Sequence, residues 1–116
     1  NLRGVDLSGR DLTGIILIGV DLSGTDLTDT ILTNANLENA ILTDSKLLDA
    51  NLSHANLTNA DLTGALLVDT NLENAILREA DMTGAILTGA ILTGADLENA
   101  VLTNAILNCV NHHVCV

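Results

Sequence analysis

Leucine stands at every fifth position of this chain, from Leu2, Leu7 and Leu12 through to Leu107, and only Met82 breaks the series. These 22 slots run without an insertion and account for 110 of the 116 residues. An α-helix repeats about every 3.6 residues, a coiled coil about every 3.5 and a strand about every 2, so none of them selects one residue in five. The spacing predicts a chain that turns a corner every five residues and sends one large apolar side chain inward each time.

The other four slots are as regular. Two places before the leucine the residue is small, as in Ala35, Ala40, Ala50, Ala55 and Ala60. Just before the leucine stands Asp or Asn (Asp6, Asp21, Asn36, Asn56, Asp96), and just after it Thr or Ser (Ser8, Thr13, Thr28, Thr103). All 9 glycines fall in the remaining slot, which otherwise holds mainly Asn or Asp, such as Asn34, Asn59, Asp44 and Asp69. Gly, Asn and Asp tolerate positive φ, so a turn is predicted there. His54 occupies that slot and is expected to be a turn residue. Proline, which would remove a ladder hydrogen bond, is absent.

The A-[DN]-L-[ST]-x pattern, seen in Ala60-Asp61-Leu62-Thr63-Gly64, resembles the pentapeptide repeat family over essentially residues 1–108. The resemblance implies an all-β fold, a right-handed quadrilateral β-helix with four pentapeptides per coil. That amounts to about 5.5 coils of 20 residues, with residues 109–116 as a C-terminal cap or tail. A leucine-rich repeat would need unequal L-x-x-L-x-L spacing, which is missing. No apolar run approaches the roughly 18 residues of a membrane-spanning helix, so no membrane insertion is expected.

The formal charge of −11 and the lack of any aromatic residue argue against direct contact with nucleic acid. They suit solubility or a basic protein partner. The aliphatic core also departs from the family, which often alternates Phe with Leu at the centre. Asn1 is not an initiator methionine and the chain opens in register, so a processed product or part of a longer chain is expected. Arg10 breaks the code, occupying a small slot from which it could bend out of the first coil.

Residues 20 apart are predicted to stack on one face. Leu66, Ile86 and Ile106 then stand above one another in the slot before the leucine, where Asp or Asn is the norm. Ile91, Val101, Ile76 and Ile41 hold the same slot on other faces. Exposed apolar ladders mark contact surfaces, so Leu66, Ile86, Ile91, Val101 and Ile106 form a candidate interface for a protein partner or a homodimer. The alternative is packing against neighbours in adjacent coils. Asp29, Asp49 and Asp69 line a corner, either as a hydrated edge or as a footprint for a basic protein or cation. Calcium would need six or so converging oxygens, which a row does not supply. Lys46 opposite Asp26 is expected to be a surface ion pair of little weight.

After Leu107 the code fails; Val110 and Asn111 still fit its small and Asp/Asn slots, but the next centre would be His112. Three readings of the tail stay open: a Cys109–Cys115 disulfide, free thiols, or a zinc site using both with His112 and His113. The first implies an oxidising compartment such as periplasm, lumen or extracellular space, and otherwise a cytoplasmic location is expected. No nucleophile elbow, phosphate loop or unexplained carboxylate pair appears. No catalytic residue, cofactor or metal is expected, and the chain reads as a non-enzymatic structural or interaction module. The resemblance supplies the alternative, a DNA mimic that binds and inhibits or protects DNA gyrase or another topoisomerase. Such members fill the core with Phe and dimerise through extra C-terminal elements, for which this tail is too short.

Overall fold

The computed structural model describes residues 1–115; Val116, the last residue of the expected tail, lies outside them. The fold is one local unit repeated. Every fifth residue from Gly4 to Asn104 has positive φ, between 55° and 73°. From Leu2 to Leu102 the N–H three places after each every-fifth leucine, and after Met82, closes the corner on that residue's carbonyl, as Ala35 does on Leu32 at 3.0 Å. The positive-φ residue is the third of four in this β-turn, the place that favours Gly and Asn. His54 adopts it with φ of 60°, and so does Glu79 with φ of 57°, where the tower overrides a poor local preference.

The slot before the leucine has its own local bond. Its Oδ1 accepts the N–H two residues on, for example Asp6 from Ser8 at 2.9 Å, Asn56 from Thr58 at 3.1 Å and Asp81 from Thr83 at 2.9 Å. The hydroxyls of Ser8, Thr58 and Thr83 donate to the same oxygens at 2.6 Å. This Asx turn sets the bend into the next corner. It explains why Asp or Asn precedes the leucine and Ser or Thr follows it.

Successive rungs pair in parallel, four pentapeptides apart, as in Asp26↔Lys46, Lys46↔Leu66 and Leu66↔Ile86. Two inter-rung bonds flank each bridge: Leu47 N–H donates to Leu66 C=O at 2.8 Å, and Leu66 N–H donates to Ser45 C=O at 2.9 Å. A third runs between turns, from Asp49 N–H to Val68 C=O at 3.0 Å. Among the described residues each bridge is a single residue wide, because the corner follows at once. The molecule measures 33 × 22 × 19 Å.

The every-fifth leucines from Leu22 to Leu92, with Met82, are at most 1% exposed, and the alanines from Ala35 to Ala90 fill the space between them. Four small slots hold buried hydroxyls instead. Thr25 donates to Leu2 C=O, Thr30 to Leu27 C=O and Thr70 to Leu47 C=O; Ser45 Oγ has no partner among the described residues. In the first rung, Val5 and Arg10 occupy small slots but are exposed, with Ile15 and Val20 half-buried.

The tail departs from the register expected for it. Val110, not Asn111, bridges Ile91, one place short of a full coil. Cys109 falls where the next turn residue should stand, yet it is not among the positive-φ residues. Cysteine has little tolerance for that conformation, and the chain rounds the corner early.

Candidate functional site

The outward slots give the rod its chemistry. Leu66, Ile86 and Ile106 form one ladder column through the bridges Leu66↔Ile86 and Ile86↔Ile106. Ile91 belongs to the next column, between Asn71 and Val110, and Val101 pairs with Asp81 on the column of the face before. The five candidate interface residues therefore spread over three faces, with one column of three. Ile106 is 47% exposed, Val101 44% and Ile91 38%, while Leu66 and Ile86 are half-buried.

Two residues that sequence reasoning passed over widen that column. Leu48 and Val68 stand in the slot after the leucine, where Thr or Ser is the rule. Their carbonyls accept from Asp29 and Asp49, which places them beside Lys46 and Leu66 on the same face. The signal was present as a break in the code at two positions one coil apart. At the opposite end, Ile16 and Ile18 are 72% and 50% exposed, an isolated apolar pair in the first rung.

The corner bordering the apolar face carries Asp29, Asp49 and Asp69, all exposed and with φ of 55–58°. The next corner above them is Gly89, and the Asp69 carboxylate leans over it so closely that a Cβ there would have to push it aside. Asp44 over Gly64 and Asn74 over Gly94 repeat the arrangement. Glycine at these three corners makes room for the side chain one coil below.

Hydrogen bonding tunes other carboxylates. The bonds from Ser8, Thr13, Ser23, Thr28 and Thr83 hold Asp6, Asp11, Asp21, Asp26 and Asp81 below the usual carboxylate range. Lys46 adds a smaller lowering at Asp26, but the ion pairs among the described residues lie elsewhere. They are Arg3–Asp21 at 3.7 Å, Arg78–Asp96 at 3.3 Å and Arg78–Glu98.

In the tail, Cys109 and Cys115 are joined with their Cα atoms 4.9 Å apart. The loop lies over the last rungs, where His112 Nε2 meets Ala95 C=O at 3.2 Å. A groove of about 400 Å³ remains between it and Asp96, Leu97, Glu98 and Leu102. The pairing occupies both sulfurs that a zinc site would need. Among the described residues, no group of three or more His, Cys, Asp or Glu could hold a metal ion, and no helix is long and apolar enough to cross a membrane.

The family model for pentapeptide repeats matches in 8 copies, over residues 1–39, 21–59, 30–67, 55–94, 65–104 and 80–111. The chain belongs to the pentapeptide repeat family. Among solved structures it is similar to the pentapeptide repeat protein Rfr23 of the cyanobacterium Cyanothece 51142. The two are 35% identical, over 97% of this chain and 88% of that one, with a TM-score of 0.78. It is also 36% identical to a pentapeptide repeat protein of the Arabidopsis thaliana thylakoid lumen, over 84% of this chain and 72% of that one, with a TM-score of 0.69. QnrB1, a plasmid-mediated fluoroquinolone resistance protein, shares the fold at a TM-score of 0.74 and 19% identity, over 90% of this chain and 58% of that one. A search of curated proteins found no match. Pentapeptide repeat proteins are in general structural or interaction modules.

Proposed function

We propose that this chain is a non-enzymatic module, a rigid acidic rod that presents its Leu48–Leu66–Val68–Ile86–Ile106 face for protein–protein contact. The observation that carries this reading is the unbroken column Leu66, Ile86 and Ile106, flanked by Leu48 and Val68, where the outward isoleucines and valines of the other faces do not form a run of three. The architecture we infer is a right-handed quadrilateral β-helix of about 5.5 coils over residues 1–108. The parallel register of four pentapeptides and the likeness to Rfr23 support it. Residues 109–116 are the C-terminal cap, closed by a Cys109–Cys115 disulfide, and that chemistry favours an oxidising compartment.

Site-specific photo-crosslinking in native cells tests the contact face. A photoreactive residue at position 86 should give adducts, to a partner or a second copy, that the same residue at position 56, between Asn36 and Ile76 on another face, does not. Equal adducts from both, or none from 86, would remove the reading.

The second reading is a DNA mimic acting on gyrase or another topoisomerase, favoured by the column Asp29, Asp49 and Asp69 on a chain of charge −11. A supercoiling assay with the purified protein decides it: no inhibition and no protection ends that reading.

A further inference from the structure

We propose that His112 is a pH-sensitive latch on the C-terminal cap, closed while its ring is neutral and released when the ring takes up a proton. This goes beyond the contact-face reading and does not depend on it.

The latch sits where the ladder runs out of chain. From Val5 to Ala85 each small-slot carbonyl accepts from the rung above, as Ala75 C=O does from Asp96 N–H at 2.9 Å. Among the described residues Ala95 C=O has no such backbone donor, and a side chain takes its place: His112 Nε2 meets it at 3.2 Å. At the other nitrogen of the same ring, Val114 N–H donates to Nδ1 at 3.3 Å. One ring therefore ties the loop to the rod and the loop to itself. Cys109, Val114 and Cys115 pack against the end of the core, so the ring holds an apolar plug in place.

The two contacts fix the protonation state. A carbonyl only accepts, so Nε2 carries a hydrogen; Nδ1 accepts from Val114, so it carries none. Only the neutral Nε2–H tautomer meets both demands. An imidazolium has a hydrogen on each nitrogen, which sets Nδ1–H against Val114 N–H, donor against donor. The open loop is then the form that binds the proton, so closure is favoured at high pH and lost as pH falls. Histidine is the side chain whose charge ordinarily changes between about pH 8 and about pH 5.

Neighbouring charges leave that sign in place. Among the described residues His113, Asp96 and Glu98 face the same groove. The His113 ring stands 4.3 Å from that of His112, and a second imidazolium there would repel the first. Asp96 and Glu98 would favour the cation, but both carboxylates already pair with Arg78. The Cys109–Cys115 bond keeps the released loop tethered, so the change is a local opening.

Nitrogen-15 NMR of the disulfide-intact protein tests the latch. At about pH 8 the His112 ring should be the Nε2–H tautomer. Between about pH 8 and about pH 5 the Val114 amide should lose about fivefold in protection against solvent exchange, after correction for the intrinsic rate, because one hydrogen bond is released. Leu57, in the middle of the rod, should keep its protection. His112→Gln should abolish the pH dependence at Val114, since glutamine has one charge state, and His113→Gln should retain it. The inference is overturned by an Nδ1–H tautomer at His112 or by Val114 protection that does not change with pH. A pH dependence that survives in His112→Gln, or that vanishes in His113→Gln, overturns it equally.

Discussion

The middle rungs and the end rungs are written in the same code but held differently. From Leu22 to Leu92 each every-fifth leucine has chain stacked on both sides and is at most 1% exposed; Leu2, Leu7 and Leu12, like Leu97, Leu102 and Leu107, are only half-buried. The code also relaxes toward the start. Alanine fills the small slot through most of the middle, while Val5, Arg10, Ile15 and Val20 fill it in the first rung. In a stacked repeat the burial of a residue is supplied by its neighbours, so one sequence unit differs in stability with its place in the pile. At the C-terminal end the Cys109–Cys115 loop covers the last rungs, whereas at the first rung oversized small-slot residues lie exposed.

Leu57→Ala should break the middle most sharply, costing about 2–5 kcal/mol in urea unfolding. Leu7→Ala should cost clearly less, because its site is already open to water. Equal costs would mean that the ends are as well supported as the centre.

Removing the clip is the next largest effect. Cys109→Ser with Cys115→Ser should cost roughly 2 kcal/mol by the loop-entropy estimate, with faster amide exchange confined to the last rungs. A uniform loss along the rod would contradict nearest-neighbour support.

Glycine corners sharpen the comparison rung against rung. Gly89→Ala and Gly84→Ala both place a side chain at φ near +70°, at a cost of about 1 kcal/mol. Gly89→Ala should cost more, because the Asp69 carboxylate occupies the space, whereas nothing lies within 4 Å at Gly84. Adding Asp69→Ala should erase the difference in thermal unfolding.

Ser45→Ala should stabilise the middle, by up to about 1 kcal/mol, since it removes a buried hydroxyl with no partner among the described residues. The matching change Thr70→Ala should not, because Thr70 donates to Leu47 C=O at 2.7 Å.

The smallest effect is on the acid limb. Asp81 has its carboxyl held below its ordinary 3.8 by the bonds from Thr83. That contribution is complete above the unfolded value and is lost as pH falls below about 3.8 through the lower folded value. Thr83→Val should move the Asp81 titration, followed by NMR, back toward the ordinary value. An unmoved titration would remove the side-chain bond from the account.

Most of this architecture is legible in the five-residue code because one residue type answers one physical demand per slot. Leucine fills the interior, alanine leaves it room, and Gly, Asn or Asp accepts the corner. The Asx bond was hidden behind a composition rule: Asp-Leu-Ser reads as polar-apolar-polar until the side chain is seen folding onto its own backbone. The width of the apolar face was written at Leu48 and Val68, two breaks in the Thr/Ser slot one coil apart. The slipped register at Val110 depends on Cys109 declining a turn conformation. A frame extended by counting does not foresee that. The space Asp69 claims above Gly89 is a contact between residues one coil apart, and it emerges only when the rungs are stacked.

Residue-resolved amide hydrogen exchange tests the account most directly. If each rung supports the one a full coil away, the N–H groups of Leu47, Leu57 and Leu67, each bonded to the next rung at 2.7–2.8 Å, exchange slowest. Protection then falls in steps toward Leu102 and Asn104, whose amides have no acceptor among the described residues. Flat protection along the chain, or slowest exchange at either end, would contradict it.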